Sequence, residues 1–312
     1  MAESQGSGVS PDVEGINYLF GFPISHSLSP LLHKTIYNAL HLPWRQDFLE
    51  SKDVDQFLQL TKDPKFFGAS VTMPHKVSII RHLDAIEPAA VAVGACNTIF
   101  VRNDLKTGQR RLIGANTDVV GIREAFYRNI SRPDEVFHGR PALVLGGGGA
   151  ARSAVYALRK SMRVSKIYLV NRDESEVEAV ISHCKNNGYG EDLIHVNRLD
   201  QAESLEGPGA IVACVPDFPP ATEAERIARS IFEVFLRKQF KGAILEMCYH
   251  PHPWTSIADL SRKVGWRVIL GTEAMIYQGL EQDRYWTGRQ ISDLPEEQVR
   301  KAIDERLNRA RL

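Results

Sequence analysis

The segment Ala142-Leu143-Val144-Leu145-Gly146-Gly147-Gly148-Gly149-Ala150-Ala151-Arg152 limits the possible fold more than any other stretch of the chain. A short unbroken apolar run, the mark of a strand buried on both faces, leads straight into four glycines and then into a helix-forming stretch, Ala150 to Met162. Gly146, Gly148 and Ala151 fill the three small positions of the pattern G-x-G-x-x-G/A, and Gly147, Gly149 and Ala150 complete the loop. The first glycine permits a tight turn, the second lets backbone approach a pyrophosphate, and the third position keeps helix and strand in contact. The N–H groups and partial positive charge of the helix start complement phosphate oxygens. A plain flexible turn is the blander reading, and the strand before and helix after weigh against it. The pattern predicts a dinucleotide-binding unit.

Strand-like and helix-like stretches alternate on both sides of this loop, which predicts an α/β fold with largely parallel pairing. Before it, strands are expected at Tyr18–Phe22, Trp44–Leu49, Phe66–Val71, Thr98–Val101 and Arg111–Ile113, with a turn over Asn103–Gly108. Helices are expected at Pro30–Leu40, from Asp53 to Leu60, at Val77–Leu83 and at Asp118–Asn129. After it, strands are expected at Lys166–Val170, Ala210–Cys214, Ala243–Glu246 and Arg267–Ile269. The chain's 312 residues suit two domains. The polar stretch Ser131–Arg140 marks the boundary between them. The expected division is a disordered tail over 1–15, a first domain over 16–130, a doubly wound Rossmann-type domain over 131–271, and C-terminal helices over 272–312.

Lys plus Arg equals Asp plus Glu, at 38 each, so no global field draws the chain to nucleic acid or an anionic membrane. The expected partner is a small molecule in a local pocket. Cys96, Cys184, Cys214 and Cys248 are scattered without a CxxC pair, as expected of free thiols in a reducing compartment. The N-terminus lacks the basic and apolar regions of a signal peptide, so a cytoplasmic location is expected. His250-Pro251-His252-Pro253 reads as a surface loop, with no further metal ligands suggested nearby.

The second strand of the glycine-loop unit ends at Asn171-Arg172-Asp173, where such folds meet the adenosine ribose. Arg172 there can pair with the 2′-phosphate of NADP, and Asp173 can accept from the free 2′-hydroxyl of NAD. Asp173 equally suits the N-cap of the helix that follows, so the residues leave NAD and NADP both open.

Four polar segments each follow or end an expected strand: Ser25–Pro30, Ser70–Lys76, Gly94–Thr98 and Gly114–Asp118. The carboxyl ends of strands in α/β sheets bind ligands. Hydroxyls and amides predominate, and they suit a substrate with several hydroxyls and a carboxylate. Oxidising a secondary alcohol sends a hydride to a nicotinamide and a proton to a base. Lys76 is the candidate base, with Asp118 to fix its geometry. Taken singly, Lys76 reads as an exposed charge and Asp118 as a helix cap; taken with the neighbouring polar loops, they read as a catalytic pair.

These residues resemble the shikimate/quinate dehydrogenase family. Its S-x-S-P motif is Ser27–Pro30, its V-T-x-P-x-K motif Val71–Lys76, its G-A-x-N-T motif Gly94–Thr98 and its N-T-D motif Asn116–Asp118. The glycine loop, the Asn171-Arg172 pair and a glutamine-bearing helix over Gln278–Gln282 follow in order. The resemblance implies reversible NAD(P)-dependent oxidation of a ring hydroxyl of quinate or shikimate. It makes Lys76 and Asp118 the catalytic pair and gives the substrate carboxylate to Ser27 and Ser29, helped by Tyr249. Thr72, Asn97, Asp118 and Gln278 take the ring hydroxyls, and the helix carrying Gln278 returns to the first domain. The sequence departs from the family at Ser70, where Asn is usual, at Ala213–Pro216, and at Asp173, where Thr is frequent. Asp173 leans toward NAD, the cofactor associated more with quinate catabolism than with aromatic amino acid biosynthesis. The competing reading is a non-catalytic sensor of quinate, shikimate or a nucleotide on the same scaffold; the intact Lys76 and Asp118 argue against it. Neither oligomeric state nor the choice between the two acids follows from the residues.

Overall fold

Apolar runs separated by glycine or polar breaks form two six-stranded sheets in the computed structural model, which describes residues 13–309. Most of the expected N-terminal tail lies outside the described residues, and the first strand starts at Gly15. The first sheet contains β1 (Gly15–Gly21), β2 (Trp44–Glu50), β3 (Phe66–Val71), β4 (Ala85–Ile86), β5 (Thr98–Asn103) and β6 (Arg110–Ala115). Their order is β2-β1-β3-β5-β6-β4. β1 runs parallel to β2 and β3, and β4 parallel to β6, but β5 is antiparallel to both β3 and β6. The pairing is therefore mixed rather than largely parallel. The short turn between Asn103 and Arg110 allows only antiparallel pairing, whereas a parallel return needs a crossover of a dozen or more residues.

The second sheet contains β7 (Ala142–Leu145), β8 (Ile167–Val170), β9 (Leu193–His195), β10 (Ala210–Ala213), β11 (Ala243–Glu246) and β12 (Arg267–Leu270). Its order is β12-β11-β10-β7-β8-β9 with every pair parallel, the doubly wound dinucleotide-binding arrangement. Its central strands are buried on both faces, which explains their unbroken apolar runs. Along β7, Val144 packs into one core with Leu158, Leu169 and Leu245, while Leu143 and Leu145 pack into the other with Tyr168, Ile211 and Phe235.

Val77–Leu83 is not the expected helix but a short 3₁₀ turn over Ser78–His82. The Lys76 carbonyl leaves the helical ladder to accept from the Cys96 N–H at 2.7 Å, tying this loop to the start of β5. The helix Gly271–Thr287 leaves β12 and packs along the helix Asp118–Asn129. They touch at Gly121, where an added Cβ would come within 2.5 Å of the Ala274 carbonyl. The helix Glu296–Arg309 then buries Val299 and Ile303 against Leu32 and Ile36 of the helix Ser29–Ala39. The C-terminal helices thus return to the first sheet. The chain is an α/β protein with an N-terminal substrate-type domain and a Rossmann domain. Among the described residues no helix is long and apolar enough to cross a membrane.

Candidate active site

The carboxyl ends of β1 and β3 open onto a cavity of ≈ 250 Å³ whose far wall belongs to the Rossmann sheet and the Gly271–Thr287 helix. Lys76 reaches it from the loop after β3, Asp118 from the first turn of the helix after β6, and Asn97 from just before β5. Ser27 and Thr72 line it from the first sheet's loops, Ser29 from the start of the helix Ser29–Ala39, Tyr249 from beyond β11 and Gln278 from the C-terminal helix. All eight residues expected to act on substrate therefore face one space. Ala150 of the glycine loop faces it too, and a Cβ on Gly149 would sit 3.1 Å from the Cβ of Lys76.

Lys76 Nζ donates to Asp118 Oδ2 at 2.5 Å. Both side chains are largely withdrawn from solvent, at 16% and 7% exposure. The helix cap is Thr117, not Asp118, and Thr117 makes no side-chain cap bond, so the Asp118 carboxylate is free to turn toward Lys76. Asn97, 2% exposed, is the hub. Its amide Nδ2 lies within hydrogen-bond reach of Asp118 Oδ1 at 2.9 Å, Thr117 Oγ1 at 3.0 Å and Gln278 Oε1 at 3.1 Å, three acceptors that share its two N–H groups. Its Oδ1 accepts from the Thr117 N–H at 2.7 Å and from Thr98 Oγ1 at 2.9 Å.

A buried relay behind this hub was not apparent from the residues. Ser29 Oγ donates to Gln46 Oε1 at 2.7 Å, Gln46 Nε2 to Ser70 Oγ at 3.1 Å, and Ser70 Oγ to Gln282 Oε1 at 3.1 Å. Gln282 Nε2 then donates to the Asn97 carbonyl at 3.1 Å. Gln282 lies one turn beyond Gln278, so i, i+4 spacing could have found it. Gln46 becomes a neighbour only through strand pairing. Because Ser29 donates to Gln46, it must rotate its hydroxyl to donate to a carboxylate. Burial pushes the Tyr249 phenol up, against hydrogen bonds from Ser27 and the Leu28 backbone. At the rim, His26 stacks on His250 with ring centres 4.0 Å apart.

On the nucleotide side the loop fits a dinucleotide. Gly146 adopts φ +125°, which a side chain rarely tolerates, and packs on Cys214. A Cβ on Gly147 would strike Asn171 Nδ2 at 2.6 Å, while one on Gly148 would meet nothing within 4 Å, leaving open space over the helix start. Ala151 is fully buried beneath the loop. At the end of β8, Asn171 donates to Glu176 at 2.7 Å and Arg172 pairs with Glu225. Asp173 caps its helix, accepting from the N–H groups of Ser175 at 2.9 Å and Glu176 at 3.3 Å. Two strands away from β7, Glu246 at the end of β11 is wholly buried. Its Oε1 accepts from the Cys248 N–H at 3.0 Å while Oε2 has no partner among the described residues, and burial raises the carboxyl to about 8.

A Rossmann sheet joined across a polar cleft to a second α/β domain defines a two-domain nicotinamide-type oxidoreductase. Residues 19–99 match the family model for the shikimate dehydrogenase substrate binding domain. The chain is 46% identical over 303 residues to a quinate dehydrogenase of Emericella nidulans, covering 92% of each protein. It is 34% identical to a pentafunctional AROM polypeptide of Komagataella phaffii, matching 88% of this chain but only 17% of that much longer one. A shikimate 5-dehydrogenase from Thermus thermophilus, solved with NADP(H) and shikimate, superposes with a TM-score of 0.70 at 27% identity, covering 92% of this chain and 99% of the other. The chain belongs to the shikimate/quinate dehydrogenase family.

Proposed function

We propose that this chain catalyses the reversible NAD(P)-dependent oxidation of a ring hydroxyl of quinate or shikimate to the ketone. The observation that carries the reading is the Lys76–Asp118 pair, at 2.5 Å, set in one cavity with the glycine loop against its flank. Bound NAD(P) supplies the hydride acceptor. Lys76 takes the hydroxyl proton at Nζ, and Asp118 orients the amine through Oδ2 while Asn97 holds Oδ1. Gln278 and Thr72 position ring hydroxyls, and Ser27, Ser29 and Tyr249 receive the carboxylate. Asn97 is fully committed to protein partners, so its part is mainly to hold Asp118 and Gln278 in place. Gly146 to Ala151 cradle the pyrophosphate, and Asn171 to Asp173 border the adenosine ribose.

The leaning is to NAD, supported by the acidic surroundings of Arg172. We assign substrate binding to residues 16–130, nucleotide binding to 131–271 and closure of the first domain to 272–312. The described cysteines are all unpaired, in keeping with a reducing compartment such as the cytoplasm. The balanced charge supports a small-molecule substrate rather than nucleic acid.

Steady-state assays with each acid and each cofactor test the reading. Turnover is expected in at least one combination, and Lys76→Ala lowers kcat by about 10²- to 10⁴-fold, the worth of a general base, with nucleotide binding retained. Wild-type protein that binds either acid but turns over neither refutes the dehydrogenase and leaves the sensor.

A further inference from the structure

A second cavity, ≈ 160 Å³, opens where β8 ends. Arg172, Glu174 and His195 border it on one side, and Ala224, Ile227 and Ile231 of the helix Glu223–Leu236 on the other. In a doubly wound sheet this position receives the adenosine half of a dinucleotide.

The charges here are already committed. The Arg172 guanidinium donates to Glu225 Oε1, on the residue that follows the cavity-lining Ala224. Glu225 Oε2 accepts from the backbone N–H groups of Ala221 at 2.8 Å and Thr222 at 2.9 Å, closing a capping box at the start of its helix. Two backbone donors anchor the carboxylate, and it is only 22% exposed. The guanidinium is 62% exposed and could swing away, but the carboxylate cannot follow it out of the site. Asp173, one of the two residues that the sequence offers for ribose contact, is occupied at its helix cap. Glu174 also faces the cavity, 3.8 Å from the His195 ring.

We propose that Glu225 determines cofactor choice: by holding Arg172 and leaving its own anchored carboxylate at the ribose edge, it selects NAD and rejects NADP. A 2′-phosphate brings about −1.5 to −2 charge and no donor at neutral pH, so it finds no free positive charge here, only an arginine already neutralised by a carboxylate that stays in place. A free 2′-hydroxyl can donate to the same carboxylate. This inference rests on the dehydrogenase reading of the site.

The test is titration of NADH and NADPH by nicotinamide fluorescence, without any acid substrate. Wild type is expected to bind NADH at least about tenfold more tightly, a difference of ~1.4 kcal/mol. Glu225→Gln keeps an acceptor for the Ala221 and Thr222 N–H groups and should narrow the NADH:NADPH ratio at least about fivefold, chiefly by tightening NADPH. Adding Arg172→Ala to Glu225→Gln should reverse that gain. Arg172→Ala alone serves as an independent arm should Glu225→Gln not fold. It should weaken NADPH less than about twofold, since Glu225 already occupies the guanidinium. Equal affinities in wild type, an unmoved ratio in Glu225→Gln, or a loss of NADPH binding beyond about fivefold in Arg172→Ala overturns the inference while the dehydrogenase stands. Failure of wild type to bind either nucleotide overturns both.

Discussion

Asn97→Ala removes one small side chain and unties three elements. Asn97 joins the start of β5 to Thr117 and Asp118 on the helix after β6, and to Gln278 on the C-terminal helix. Two losses cannot be repaired by side-chain rotation. The Thr117 N–H, in a fully buried residue, loses its acceptor at 2.7 Å, and a buried unsatisfied donor costs about 1–3 kcal/mol. Asp118 Oδ1 loses a charge-assisted bond at 2.9 Å, worth about 1.5–3 kcal/mol. Thr98 and Gln278 can turn to other partners. Asp118 borders the cavity, so water entering there offsets part of its loss, which places the sum near ~3 kcal/mol. At about 1.5–2 °C per kcal/mol for a chain of this size, the thermal midpoint should fall by roughly 4–6 °C. Asp118, held only by Lys76, should also let the amine drift and lower kcat by about 10²-fold, the cost of an ångström-scale misplacement. Differential scanning fluorimetry of wild type and variant, followed by assay well below both midpoints, reads the two effects separately. A midpoint change under about 2 °C with kcat intact would show that Asn97 is not the hub the geometry makes it.

Two further perturbations probe other parts of the molecule. In Gly68→Ala the new Cβ would lie 2.3 Å from Trp286 Nε1 and 2.5 Å from the Ile99 carbonyl, the pair joined by a 2.9 Å hydrogen bond. Overpacking plus the lost indole bond should destabilise by about 2–5 kcal/mol in urea unfolding, with Trp286→Phe restoring part of it in the Gly68→Ala background; purely additive effects would refute the contact. Glu246, raised to about 8 from an ordinary value of 4.5, binds more protons folded than unfolded between those pH values. Its contribution to stability is fully present below pH 4.5 and is lost as pH rises through 8, by a few kcal/mol at most. Glu246→Gln should therefore gain most over wild type at pH 8–9 and least near pH 5, in melts across that range; a gap that does not widen with pH would argue that the carboxyl is not held neutral.

How far the sequence reaches depends on the range of the signal. Gly146 to Ala151, the hairpin turn over Asn103–Gly108 and the helix Asp118–Asn129 are legible because a turn, a cap or a repeat of 3.6 is written in adjacent residues. The two-residue β4 and the short helix Pro88–Val93 escape because neither is long enough to show a period. Val77–Leu83 has helical spacing but loses its helix to a hydrogen bond from Cys96, twenty residues beyond Lys76. Asp173 shows the same limit at the nucleotide site: two roles fit its sequence, and the observed backbone gives it the cap.

By itself, then, the sequence determined the Rossmann unit and the set of polar loops destined for strand ends, since each is a local pattern that survives in any arrangement of its neighbours. Tertiary structure alone decided which atoms meet: Asn97 with Gln278, Ser29 with Gln46, Arg172 with Glu225. Those pairs depend on strand order and on where the C-terminal helix docks, and both are settled by burying the apolar faces of whole elements rather than by the polar residues they bring together.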